Sequence, residues 1–328
     1  MTVKPLITPD PFQKEAIALI EAGETVLVSA PTGAGKTLVA EAAIRAALAA
    51  GKHVIYTAPV KALSNQKYRD FREQYGDERV GVLTGDVSIN PDASILIMTT
   101  EIFRNSLFET SERIQKTGWV IFDEIHYLDD PERGTVWEEA LLFTPPEICI
   151  LALSATVPNV RELAAWMESV RGKPVRVVEE VNRPVPLDFI FQCQSMYFEN
   201  IKLLRHHGYL TRENWSLTAR EKSRGLRPLR AKPNRLDSLL ERLKRHAQLP
   251  VIYFAFGRQR TADLAWEASA FDFCQDEKDR AKLVALFEDL LGRYGLMGER
   301  SAEDMRPLIE RGIAYHHAGM LPSLKEII

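Results

Sequence analysis

Eight residues, Ala30-Pro31-Thr32-Gly33-Ala34-Gly35-Lys36-Thr37, constrain the fold of this chain more than any others. They follow an apolar run, Thr25 to Val28, and precede a helical pattern, Leu38 to Ala50. Strand, glycine-rich turn, helix is the setting that a phosphate-binding loop of the form GxxxxGK[ST] needs, here with Ala30 in the first place. Gly33 and Gly35 open backbone angles that a side chain forbids, so successive N–H groups can converge on an anion. The helix that follows adds its positive end. Lys36 is placed to neutralise β- and γ-phosphate oxygens, and Thr37 to offer a hydroxyl to magnesium. The expected ligand is ATP or ADP with Mg2+, and the expected chemistry is phosphoryl transfer. The nucleotide contacts expected here are Thr32, Gly33, Ala34, Gly35, Lys36 and Thr37.

The surroundings of this loop point to an α/β fold. Short apolar runs (Thr25–Val28, His53–Tyr56, Val80–Leu83, Ile95–Met98, Val120–Phe122, Ile148–Leu153) alternate with helical stretches such as Phe12–Glu21, Leu38–Ala50, Leu63–Gln74 and Val136–Phe143. Near-continuous apolar strands separated by helices predict a parallel sheet covered on both faces. Ligands of such sheets sit at the carboxyl ends of the strands. With 328 residues the chain is long enough for two domains. The first is expected over residues 1–175, a linker over 176–190, and a second α/β domain over 191–328. That second domain should contain a strand at Val251–Phe254 and helices near Leu236–Gln248, Arg258–Ala270, Lys282–Tyr294 and Glu303–Glu310. Residues 200–235 read as a basic insertion, with Lys222, Arg224, Arg227, Arg230 and Lys232 in its second half. A solvated segment and a nucleic-acid contact are both open readings of it.

A formal net charge of −3 gives no global argument for nucleic acid, so any such site must be a local patch. The three cysteines, Cys149, Cys193 and Cys274, have neither disulfide nor metal spacing, which fits a reducing, cytoplasmic setting. Neither a signal-peptide pattern nor a membrane-length apolar run is expected to direct the chain to a membrane.

A second chemical element follows the apolar run Trp119–Phe122: Asp123-Glu124-Ile125-His126. An acid at the end of a buried strand, beside a phosphate loop, can hold the water shell of magnesium, the role expected of Asp123. Glu124 is the candidate for orienting or deprotonating an attacking water.

Together, residues 30–37, Asp123-Glu124-Ile125-His126 and Leu153-Ser154-Ala155-Thr156 resemble motifs I, II and III of superfamily-two DExH-box helicases. The resemblance implies two RecA-like lobes with ATP in the cleft between them. It also implies that His126 links the ATP site to Ser154 and Thr156. Asp10 to Ile17 resembles the family's adenine-reading element, which implies nucleotide contacts from Phe12 and Gln13. Ala58 to Gln66 is similar to motif Ia, Leu83-Thr84-Gly85-Asp86 to the element after it, and Thr99-Thr100-Glu101 to motif Ib. The nucleic-acid contacts so implied are Pro59, Lys61, Gly85, Thr99 and Thr100, gripping a single strand of RNA by its backbone. For Thr100 alone, a helix N-cap is an equally open reading. The stretches His126-Tyr127-Leu128, Arg133 to Glu139, Arg183 to Leu187 and His316 to Pro322 resemble the superkiller-type, exosome-associated RNA helicases.

The resemblance also marks a departure. Its motifs V and VI, with their arginines for the γ-phosphate, have no counterpart among these residues, and Tyr253 to Arg258 is an atypical motif IV. The chain is therefore expected to be the N-terminal portion of a larger helicase, a monomer that binds nucleotide but hydrolyses it weakly. Two other readings stay open: a DNA helicase of the related repair branch, and a non-catalytic nucleotide-dependent binding module.

Overall fold

The computed structural model describes residues 8–109, 112–206 and 234–328. It divides into two compact units, Met1–Leu187 and Asp188–Ile328. Most of the expected basic insertion, residues 207–233, lies outside the described residues.

The first unit is built on one sheet of eight strands: β1 Thr25–Ser29, β2 His53–Ala58, β3 Val80–Leu83, β4 Ser88–Ile89, β5 Ile95–Thr99, β6 Thr117–Phe122, β7 Cys149–Ser154 and β8 Val175–Glu179. Their order across the sheet is β4-β3-β5-β2-β6-β7-β1-β8. Every neighbouring pair is parallel except β3–β4. The expected parallel sheet carries one antiparallel pair, at its edge. There the chain doubles back within five residues of Leu83, and so short a return allows only antiparallel pairing. β8 pairs with β1 from Thr25↔Val175 to Ser29↔Glu179, so the connecting segment begins after Glu179 rather than at residue 176.

Residues of alternating strand faces feed two separate cores, which is why the strands read as unbroken apolar runs. Val26, Val28, Val54, Tyr56, Ile95 and Ile97 pack against helices α1 (Pro11–Glu21), α2 (Lys36–Ala49) and α3 (Lys61–Tyr75). Leu27, Ile55, Leu96, Met98, Val120 and Phe122 pack on the other face. Their partners are α4 (Thr100–Phe108), α5 (Glu112–Lys116), α6 (Gly134–Phe143) and α7 (Val160–Arg171). Each fully buried aliphatic side chain of this kind contributes about 2 kcal/mol. Trp137 is completely buried and Trp119 nearly so, which makes both core residues.

The second unit has a two-stranded antiparallel hairpin, Phe191–Cys193 with Met196–Phe198. Among the described residues its helices are Ile201–His206, Leu236–Arg245, Arg258–Ala268, Glu277–Arg293, Arg300–Ile309 and Pro322–Ile327. Two small apolar clusters hold it, one around Leu236, Leu240 and Leu264 and the other around Phe287, Leu291, Met305, Leu308 and Leu324. The expected strand Val251–Phe254 is not formed: among the described residues it enters no ladder. The apolar pattern is present, but a strand needs a neighbour to bond to, and here Ile252 is 80% and Phe254 90% exposed.

Candidate nucleotide site and adjoining groove

The strand order brings the carboxyl ends of β1, β7, β6 and β2 side by side, so four loops meet along one rim of the sheet. Pairing of Ser29 with Ser154 and of Phe122 with Ala152 fixes their register. The phosphate-type loop leaves β1 and is anchored at once, with the Ala30 N–H donating to the Ser154 carbonyl at 3.2 Å. Gly33 and Gly35 adopt φ of +87° and +84°, the left-handed region that glycine enters without strain. Gly35 also occupies the N-cap of α2, where no side chain caps the helix, so the first amides of the helix lack a side-chain partner.

Lys36 folds back onto its own loop, donating to the carbonyls of Ala30 at 2.8 Å and Pro31 at 3.3 Å. Burial lowers its pKa from the usual lysine value, while Glu124 and Asp123 act in the opposite sense. That coupling places the loop lysine in the field of both acids. Thr37 accepts a hydrogen bond at its hydroxyl from Lys67 Nζ at 2.9 Å. Asp123 is held twice: Tyr56 donates its hydroxyl to Oδ2 at 2.5 Å, and the Glu124 N–H donates to Oδ1 at 3.0 Å. Burial, and then the Asp123 charge, push the Tyr56 phenol well above its usual value, so it stays a donor.

Glu124 sits at φ +53°, an uncommon angle for a residue with a side chain, and opens a turn of 3-10 helix over Ile125–Asp129. His126 Nδ1 accepts from the Ala155 N–H at 3.3 Å and lies 3.4 Å from Glu124 Oε2. Through this contact the imidazole joins the β6 loop to the end of β7. Ser154 is fully buried, and its hydroxyl is without a hydrogen-bond partner among the described residues. Thr156 and Thr32 are exposed.

On α1, Gln13 is 5% exposed and binds the loop from behind. Its Nε2 donates to the carbonyls of Ala34 and Gly35, each at 3.1 Å, and its Oε1 accepts from the Asp10 N–H at 2.8 Å. The Phe12 ring, 4% exposed, is part of the first core.

The metal expected here can be tested against the donor set. Thr37 Oγ1 and the Asp123 carboxylate are hard oxygen donors of the kind magnesium takes, and each already carries an oriented hydrogen bond. Among the described residues no group of three His, Cys, Asp or Glu could form an all-protein cage. Magnesium that keeps several waters and borrows phosphate oxygens needs no such cage, so the residues fit.

Farther along the same rim, beyond β2, lies a groove of about 460 Å³. It is lined by Pro59, Val60, Lys61, Gly85, Thr99, Glu101, Ile102 and Arg133, and so gathers four of the five implied nucleic-acid contacts. Thr100, the fifth, is fully buried, with its hydroxyl unpartnered among the described residues. The N-cap of α4 is Thr99, and it makes no side-chain cap, so neither threonine caps the helix in the way considered for Thr100. Lys61 pairs with Asp86 and Arg133 with Glu101, and Arg133 Nη2 also donates to the Pro59 carbonyl at 2.5 Å. The guanidinium lies 5.4 Å from the Trp137 ring centroid.

Sequence reasoning missed Tyr56, Lys67 and Arg133 as members of these sites. Two of them carried a signal. A tyrosine in a buried apolar strand must find a partner for its hydroxyl. A lysine between Leu63 and Phe71, at i+4 and i+8 on one helix stripe, is a charge on an inward face.

The sequence model of the family described as DEAD/DEAH box helicase matches residues 10–163. Similar proteins include an uncharacterized helicase, C17H9.02, of Schizosaccharomyces pombe, 40% identical over 97% of this chain and 32% of its own length. Human superkiller complex protein 2 is 40% identical over 98% of this chain and 27% of its own. The ATP-dependent RNA helicase mtr4 of Schizosaccharomyces pombe is 39% identical over 98% and 30% respectively. The chain thus spans about a third of the length of these relatives. No helix among the described residues is long and apolar enough to cross a membrane.

Proposed function

We propose that this chain, whose residues 10–163 match the DEAD/DEAH box helicase model, is the nucleotide-binding part of an ATP-dependent RNA helicase of the superkiller type. One observation carries the reading. A single sheet rim holds a glycine-rich loop with its lysine, a strand-end Asp-Glu pair, and a groove with two cations within reach.

Each residue then has a task set by its position. Backbone amides of Gly33 to Thr37 and the Lys36 ammonium take the phosphates. Thr37 and Asp123 would hold magnesium, which would supply positive charge against the phosphate oxygens. Glu124, kept beside His126, orients the attacking water. His126 reports the state of that loop to Ser154 and Thr156 through the Ala155 amide. Pro59, Lys61, Gly85 and Thr99 grip the phosphate backbone of a strand and read no sequence.

RNA in preference to DNA rests on the likeness to the superkiller and mtr4 proteins. ATP hydrolysis measured with matched single strands of RNA and DNA tests it. Stimulation by RNA above that by DNA is the expected result. Equal or greater stimulation by DNA contradicts it.

A further inference from the structure

We propose that Lys67 is a built-in cation for the metal position, holding the Thr37 hydroxyl when magnesium is absent and yielding to the ion when it binds. Lys67 thereby sets how much magnesium the site requires. The inference rests on the nucleotide reading given above.

Two oxygens are assigned to the metal, Thr37 Oγ1 and a carboxylate oxygen of Asp123. Each is already held by a side chain from the α3 side of the sheet. Lys67 donates to Thr37 at 2.9 Å, and Tyr56 donates to Asp123 at 2.5 Å. The two donors are neighbours, with the Lys67 ammonium over the Tyr56 ring at 5.9 Å from its centroid. Lys67 leaves α3 on the stripe that carries Leu63 and Phe71 against the core, so its stem is directed inward and its charge is delivered to the loop. An ammonium is a pure donor, and it addresses the same hydroxyl oxygen through which Thr37 would bind magnesium. Both cations are attracted by the Asp123–Glu124 pair and by a polyphosphate, and they repel each other at short range.

Two opposed effects follow. Without magnesium, Lys67 is a stand-in positive charge and supports nucleotide binding. With magnesium, it is a competitor and raises the concentration needed. A residue that only braces Thr37 would change neither in that signed way.

The test follows a fluorescent ADP analogue on the full chain, once in EDTA and once across a magnesium titration, for wild type, Lys67→Gln and Lys67→Arg. Repulsion at a half-exposed site predicts that Lys67→Gln weakens magnesium-free binding by about fivefold and lowers the half-saturating magnesium by about fivefold. Lys67→Arg, which keeps the charge, should behave as wild type. Superimposable curves for wild type and Lys67→Gln, with both binding ADP, overturn the inference alone. Loss of binding in Lys67→Gln at every magnesium concentration also overturns it. A wild-type chain that takes up no ADP at any magnesium concentration overturns the nucleotide reading and the inference together.

Discussion

Gln13 and Gly35 are in contact through a space that a Cβ could enter only by displacing the Gln13 amide. The Gln13 amide nitrogen donates to the Gly35 carbonyl at 3.1 Å, and a methyl group built on Gly35 would lie 2.6 Å from it. The first helix and the phosphate loop are thus one unit, joined by a side chain that also closes the N-terminal turn of its own helix. Gly35→Ala meets both a steric conflict and φ of +84°, costing about 2 kcal/mol of stability and at least tenfold in ADP affinity. Urea unfolding and calorimetry measure the two; an unchanged affinity contradicts the assigned fit.

Gly134 is fixed by approach rather than by angle. A Cβ there would sit 2.3 Å from the Leu128 carbonyl oxygen, which is backbone and cannot swing aside. Gly134→Ala must push α6 from the Asp-Glu turn, and a loss of about 2 kcal/mol is expected in urea unfolding. ATP turnover should fall with it, since Leu128 belongs to the 3-10 turn that Glu124 opens. Wild-type stability would contradict the close packing.

Arg171 is 8% exposed and donates to the carbonyls of Thr144, Pro145 and Ile148, tying the end of α7 to the loop before β7. Replacing it by methionine keeps the bulk but strands those carbonyls. The expected loss is about 3 kcal/mol, read from urea unfolding, with ADP affinity within about twofold of wild type. A loss below about 1 kcal/mol shows that water reaches the carbonyls.

Tyr75 carries a pH signature. Its hydroxyl is buried without a partner among the described residues, and burial, then Glu41, raise its pKa above the usual phenol value. Below about pH 10 the phenol is neutral folded and unfolded, and it adds no pH dependence. Above that pH the unfolded chain ionises first and binds fewer protons, so stability falls as pH rises toward the folded pKa. Tyr75→Phe should match or exceed wild type in stability at pH 7 and lose part of the decline above pH 10. An alkaline decline equal to that of wild type would contradict the assignment.

The sheet was legible because burial on both faces leaves an unambiguous trace. His53–Tyr56 and Ile95–Met98 read as continuous apolar runs, and the chemistry sits just past their ends, where the topology requires it. Ser88–Ile89 was not legible, being two exposed residues paired only at an edge. Val251–Phe254 showed the opposite failure: it has the pattern, but pairing is a property of its neighbours and not of its own residues. Within the site, Lys36 and Asp123 were visible from their motifs. Lys67 and Arg133 act through partners distant in sequence, Thr37 and Glu101, which local spacing does not encode.

The central claim is that one rim of the first sheet binds a nucleotide through Lys36. Calorimetric titration of the chain with ADP and magnesium, for wild type, Lys36→Ala and Glu124→Gln, tests it most directly. The account predicts one ADP per wild-type chain, comparable binding by Glu124→Gln, and tight binding abolished in Lys36→Ala. Equal affinity of wild type and Lys36→Ala, or no ADP bound by wild type, would contradict it.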